Sequence, residues 1–258
     1  LRRKAGEKIR RHLDELAEEA AEAGVEARTR LREGRLFQEV IREVLREGHD
    51  LVVKSATGDR SRLRWFFGSD DHHLMRKCPA PVWLLDPDRA AGYRGVLAAV
   101  DVASEEERSL NVKILELASS LAELEGAELH VVHAWSLHEE RYLRAHESEI
   151  SHTGLRGLLR AEKEERSQRL EAVVEEVAPS AKVHLRKGDA ARIVSLVARE
   201  TLADVLVMGT LGRSGVPGFL IGNTAESVLA RVRCGVLTVK PDGFETPVTL
   251  EDEPEGDA

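Results

Sequence analysis

Val205-Leu206-Val207-Met208-Gly209-Thr210-Leu211-Gly212, followed by a loop and then by Gly222-Asn223-Thr224-Ala225-Glu226, decides how this chain is read. The four apolar residues have the character of a buried strand, and Ser227-Val228-Leu229-Ala230-Arg231-Val232 leaves in a helical pattern. The glycines therefore sit where a strand ends and a helix begins. Unpartnered backbone N–H groups and the positive end of a helix dipole converge at such a junction, which suits an anion. The lack of a Cβ allows close approach of backbone to a phosphate. Tight packing is the other reading of the same glycines. In that reading Asn223 caps the helix and Glu226, three residues on, completes a capping box.

The pattern occurs twice. Residues 34–86 align with 188–240 at a constant offset of 154, without a gap. Gly34 falls on Gly188, Asp50-Leu51-Val52-Val53 on Asp204-Val205-Leu206-Val207, and Gly68-Ser69 on Gly222-Asn223. Val82-Trp83-Leu84-Leu85 falls on Val236-Leu237-Thr238-Val239. The chain thus reads as two copies of one α/β unit. The first covers residues 1–88, the second 93–243, and residues 244–258 form an acidic tail.

In the first copy, Ala5, Ile9, Leu13, Leu16 and Ala20 have helical spacing, and Gly24 ends that helix. Val25 to Leu31 is expected to be a short strand. Leu36, Phe37, Val40, Ile41, Val44 and Leu45 form an apolar helix face, and Leu51-Val52-Val53 a buried strand. The sequence starts at Leu1 inside a helical pattern, so this copy is expected to lack its N-terminal part. The second copy supplies five strands: Val96–Asp101, Leu129–Ala134, Val183–Leu185, Val205–Met208 and Val236–Val239. Strands alternating with helices imply doubly wound five-stranded parallel sheets, in two tandem Rossmann-like domains.

Composition narrows the function. In 258 residues, 42% hydrophobic content suffices for a packed core, and no apolar run reaches membrane-spanning length. Cys78 and Cys234 lack metal-ligand spacing and fit a reducing compartment. Net charge is −8, with +2 over residues 1–92 and −10 over the rest. That balance disfavours non-specific DNA binding, which rests on neutralising phosphates. The basic run from Arg2 to Arg11 reads as a solvated helix face. There is no Walker-type loop, nucleophile elbow or metal-ligating helix motif, so an enzyme is not expected. His72-His73 has adjacent spacing, poor for joint ligation, while His130 and His133 should point to opposite sheet faces.

The spacing Gly209-x2-Gly212-x9-Gly222 with small polar residues after it resembles the nucleotide loop of the universal stress protein family. The usual loop ends in Gly-Ser or Gly-Thr, where this chain has Gly222-Asn223-Thr224. Arg233-Cys234-Gly235-Val236-Leu237-Thr238-Val239-Lys240-Pro241-Asp242-Gly243-Phe244 is similar to the tandem, E-type branch. The resemblance implies a cytoplasmic stress-response protein that binds an adenine nucleotide, ATP with Mg or Mn on its phosphates, and at most hydrolyses it slowly. Its alternative is an adaptor or small-ligand binder without nucleotide. It further implies that Val82–Leu85 and Val236–Val239 pair in an internal pseudo-dimer, and it allows a homodimer. It implies neither a membrane nor a specific nucleic acid as partner.

By the same resemblance, Asp101 would lie beside adenine and ribose, Ala134 would meet adenine through its backbone, and Gly209, Gly212, Gly222, Asn223 and Thr224 would surround the phosphates. Asp101 also reads as a loop residue capping the helix that begins near Ser104. Arg213 can pair with a terminal phosphate or simply be solvated. In the first copy, Ser55 replaces a glycine, and Asp70 and Asp71 follow Gly68-Ser69, where they would repel a phosphate. That copy is expected to be a structural partner.

Overall fold

The computed structural model describes residues 2–56, 67–86, 92–137, 152–210 and 222–250. They divide into two compact units, residues 1–39 and 40–258. The first unit is built on α1 (Arg2–Glu22), which ends at Gly24 with φ of 79°. Residues 25–33 are irregular and exposed, so the strand expected at Val25–Leu31 does not form. Val25 and Leu31 themselves are exposed, and the segment buries too little apolar surface to enter a sheet.

The second unit contains one seven-stranded sheet in the order β1-β2-β7-β6-β3-β4-β5. Its strands are β1 (Val52–Ser55), β2 (Val82–Leu85), β3 (Gly95–Ala99), β4 (Glu128–Trp135), β5 (Lys182–Lys187), β6 (Val205–Gly209) and β7 (Gly235–Val239). The helices are α2 (Leu36–Glu47), whose first turn belongs to the first unit, α3 (Ser69–Lys77), α4 (Arg108–Glu125), α5 (His152–Val177), α6 (Ala190–Glu200) and α7 (Asn223–Leu229). Both halves of the repeat thus build one mixed α/β sheet. Among the described residues no helix is long and apolar enough to cross a membrane.

Strand alternation sends Val96, Ala98, Leu129, Val131, Val205 and Val207 to one face, where they pack with Leu110 and Ile114 of α4 and with Leu170 and Val174 of α5. The carboxylate of Asp204 fixes the start of β6 against β3, accepting from the N–H groups of Arg94 at 2.6 Å and Gly95 at 3.0 Å. A Cβ on Gly95 would lie 3.3 Å from Thr201 O, which explains that glycine by packing alone.

All strand pairs are parallel except β2 with β7, where Val82 faces Thr238, Trp83 faces Leu237 and Leu84 faces Val236. The Thr238 hydroxyl donates across this seam to Val82 O at 3.3 Å. β1 lies at the edge of the sheet, with Val53 51% exposed, so Leu51–Val53 is not the buried strand expected. Its counterpart β6 is central and has strands on both sides. The two segments are alike in sequence and differ in burial because burial is set by neighbours.

Candidate functional site

From β3 the chain moves outward to β4 and β5, then returns through α6 to β6 on the other side of β3. The reversal lies between β3 and β6, and in open parallel sheets ligands bind off the carboxyl ends of the strands at such a point. β3 and β6 are in register from Val96–Val205 to Ala99–Met208, and β3 and β4 from Gly95–Glu128 to Ala99–Val132. Carrying both registers two residues further sets Asp101 level with Ala134 on one side and Thr210 on the other. The bond from Val100 N–H to Val132 O, 3.1 Å, shows the ladder continuing towards them.

Asp101 is held from several directions. Its N–H donates to Asn111 Oδ1 at 3.0 Å, and its carbonyl accepts from Asn111 Nδ2 at 2.7 Å. Its carboxylate Oδ1 accepts from Ala103 N–H at 3.0 Å, a local turn that Asp side chains favour. Ala103 O in turn accepts from Arg166 at 2.7 Å and Arg169 at 3.1 Å, both on α5. The cap expected of Asp101 is therefore not made to a helix: Ser104 is the cap of the short 3-10 turn Glu105–Glu107. The carboxylate stays about half exposed. His133 on β4 donates from Nδ1–H to Val100 O at 3.1 Å; a carbonyl only accepts, which assigns the tautomer.

The glycine bend is drawn together at its neck. Gly222 N–H donates to Thr210 O at 2.9 Å, so the end of β6 and the start of α7 are adjacent. Gly222 is the cap of α7, with φ of −58° and no side-chain cap bond. The capping box expected from Asn223 and Glu226 is absent: Asn223 lies inside the helix, and the Glu226 carboxylate pairs with Arg76 of α3. Asn223 and Thr224 are exposed on the first turn. Gly212 and Arg213 lie outside the described residues. At Gly209 a Cβ would lie 2.9 Å from Leu110 Cδ2, so this glycine also makes room for α4.

One residue at this edge was not anticipated. Lys240, buried just past β7, donates to Thr210 Oγ1 and to Met75 O of α3, and its Nζ lies 5.0 Å from the centre of the Phe244 ring. Burial lowers its pKa to about 7, with the nearby Cys78 sulfur opposing. Burial pushes the Cys78 thiol up to about 11. Lys240 thus ties the neck of the bend to the first half of the repeat. Asn111 carried a readable signal, a lone amide between Leu110 and Ile114 on an apolar face; Lys240 carried none.

The corresponding place in the first half is filled. Asp71, fully buried, accepts from Gly68 N–H at 2.9 Å and from Lys54 Nζ at 2.7 Å. At the offset of 154 these three residues correspond to Ala225, Gly222 and Met208. An ion pair thus stands where the second half has small and apolar side chains. His130 and His133 are both buried, and His130 lies between Glu128 at 2.8 Å and His184 at 3.0 Å. Burial first, and then the neighbouring His130, lower the pKa of His184.

Comparison with known proteins gives a consistent result. The model of the universal stress protein family matches residues 2–86 and again 92–240. Universal stress protein E of Escherichia coli strain K12 is 32% identical over 226 residues, covering 85% of this chain and 69% of that protein. The Universal stress protein E homolog of Haemophilus influenzae is 30% identical over 205 residues, covering 77% and 64%. Among solved structures, a functionally unknown protein of Pseudomonas aeruginosa PAO1 superposes with a TM-score of 0.70 at 31% identity, covering 90% of this chain and 78% of that one. A universal stress protein of Archaeoglobus fulgidus shares the fold at a TM-score of 0.63 and 21% identity, covering 92% and 79%. With both halves matched and relatives similar over most of its length, this chain belongs to the universal stress protein family.

Proposed function

We propose that the second half binds an adenine nucleotide at the carboxyl edge of the sheet and acts as a cytoplasmic sensor or regulator of the stress response, without turnover. The observation that carries this reading is the neck Thr210–Gly222, which closes the glycine bend beside the switch point where Asp101 and Ala134 also lie. Asp101 would receive ribose or base, and the backbone at Ala134 would face adenine. Gly209, Gly212, Gly222, Asn223 and Thr224 would surround the phosphates, with Arg213 at the terminal one. The phosphates of ATP would take Mg or Mn from solution. The first half, with Lys54–Asp71 in the matching place, serves as a structural partner and packs through β2–β7 as an internal pseudo-dimer. That seam occupies the free edge of β7, so a homodimer of chains would use another surface.

Calorimetric titration of ATP and ADP with Mg or Mn tests the reading. One saturable site per chain that depends on the bend is expected, weakened at least tenfold by Gly212→Val and by Asp101→Ala, with negligible hydrolysis over hours. Binding at two equivalent sites would overturn the assignment of the first half. A second reading, an adaptor without nucleotide, is favoured by two contacts: Asp101 Oδ1 already takes the Ala103 amide, and Gly209 already accommodates Leu110. Absence of saturable binding in the wild type would decide for it.

A further inference from the structure

A groove of about 440 Å³ runs between α6 and the segment leaving α7. Arg192, Arg199, Arg231 and Arg233 line it together with Ser195, Ala230 and Val232, and among the described residues no carboxylate does. Arg192 and Arg199 are seven residues apart on α6, two turns or about 10 Å along one helix face. Arg231 donates to Ser227 O at 2.6 Å, within its own turn, which leaves most of its five donors uncommitted among the described residues. Arg192, Arg199 and Arg233 have no side-chain hydrogen bond or ion pair among the described residues.

The arrangement gathers four arginines around one groove. The chain carries 46 acidic and 38 basic side chains. Several arginines elsewhere pair with carboxylates: Arg166 with Glu162, Arg169 with Glu165, Arg186 with Glu200, Arg108 with Glu176. Four guanidiniums around one concavity repel each other, and a bound anion would relieve the repulsion. The groove is also distinct from the glycine bend. Arg199 lies in the last turn of α6, shortly before β6 starts, and Arg231 and Arg233 come just before β7 starts. These three lie at the edge where β6 and β7 begin, opposite the carboxyl edge that holds Thr210 and Gly222.

We propose that this groove is a second anion site, for a small molecule carrying two or more phosphate groups. Guanidinium forks match phosphate oxygens in pairs, and four of them suit a ligand with more than one phosphate. The volume lies within the range of small-molecule pockets, while the net charge of −8 opposes a long nucleic acid.

The test uses the full chain carrying Gly212→Val, which disables the glycine bend, titrated with inorganic triphosphate at low and at physiological salt. One saturable site per chain is expected, with affinity falling as salt rises. Arg199→Gln and Arg233→Gln should each weaken it about tenfold. Arg199→Lys keeps the charge but not the fork and should lose less. These side chains are exposed, so unchanged thermal melting of the variants will show that the fold is intact. Absence of saturable binding, or affinity indifferent to both glutamine variants, overturns the proposal. So does tighter, arginine-dependent binding of a single-stranded oligonucleotide. Because the bend is already disabled, failure here is separate from failure of ATP binding in the wild type.

Discussion

Lys240 joins two halves of the repeat through a single ammonium group, with Thr210 Oγ1 on one side and Met75 O on the other. Its pKa is near 7 in the folded chain against an ordinary 10.5, so between those values the unfolded chain holds the extra proton. Stability from this group therefore rises as pH increases from about 7 to about 10.5, by at most about 1.4 kcal/mol per pH unit, and is lowest below pH 7. Urea denaturation at pH 6, 7.5 and 9 should show this slope in the wild type and a flatter one in Lys240→Met; parallel slopes would refute it. Gly209 permits a second prediction. An added Cβ would press on the buried Leu110, so Gly209→Ala should cost about 1 kcal/mol of stability without any nucleotide present. An unchanged denaturation midpoint would show that the packing role is negligible. The spacing of the glycines suggested phosphate approach, but sequence alone could not show that α4 fills the space over Gly209.

At the scale of elements, the seam between β2 and β7 depends on Gly235. A Cβ there would sit 3.2 Å from Leu84 O and 3.5 Å from Asp204 O, both backbone atoms that cannot turn aside. Gly235→Val should therefore destabilise the chain by about 2 kcal/mol, measured by chemical denaturation. A variant as stable as wild type would show that the seam can yield. The central strands were readable in the sequence because β3, β4 and β6 are short apolar runs between helical patterns. The expected strand at Val25–Leu31 and the burial of β1 were not readable correctly, since pairing partners and not the segments decide both. The cap of α7 was misplaced by one residue, because Gly222 can start the helix as well as Asn223. The arginine groove joins residues about forty positions apart, and only the packing of α6 beside α7 brings them together.

For the whole molecule, the sheet is continuous across the seam, and the second unit should unfold as one body. Trp83 on β2 and Trp135 on β4 report on the two sides. In a Trp65→Phe background, their fluorescence and the circular dichroism signal should give coincident melting curves; two separate transitions would contradict this. Bound nucleotide should add to that stability by mass action, by about 2.7 kcal/mol at a hundred times its dissociation constant. A melting temperature raised more by ATP with Mg in the wild type than in Gly212→Val is the expected outcome. The seam has one more consequence. Because β2 and β7 run antiparallel, the halves turn their carboxyl ends towards opposite rims of a shared sheet. An approach to one rim meets the neck between Thr210 and Gly222, and an approach to the other meets the ion pair of Lys54 and Asp71. A sheet made of two like halves is thereby two-sided, with a different chemistry along each rim.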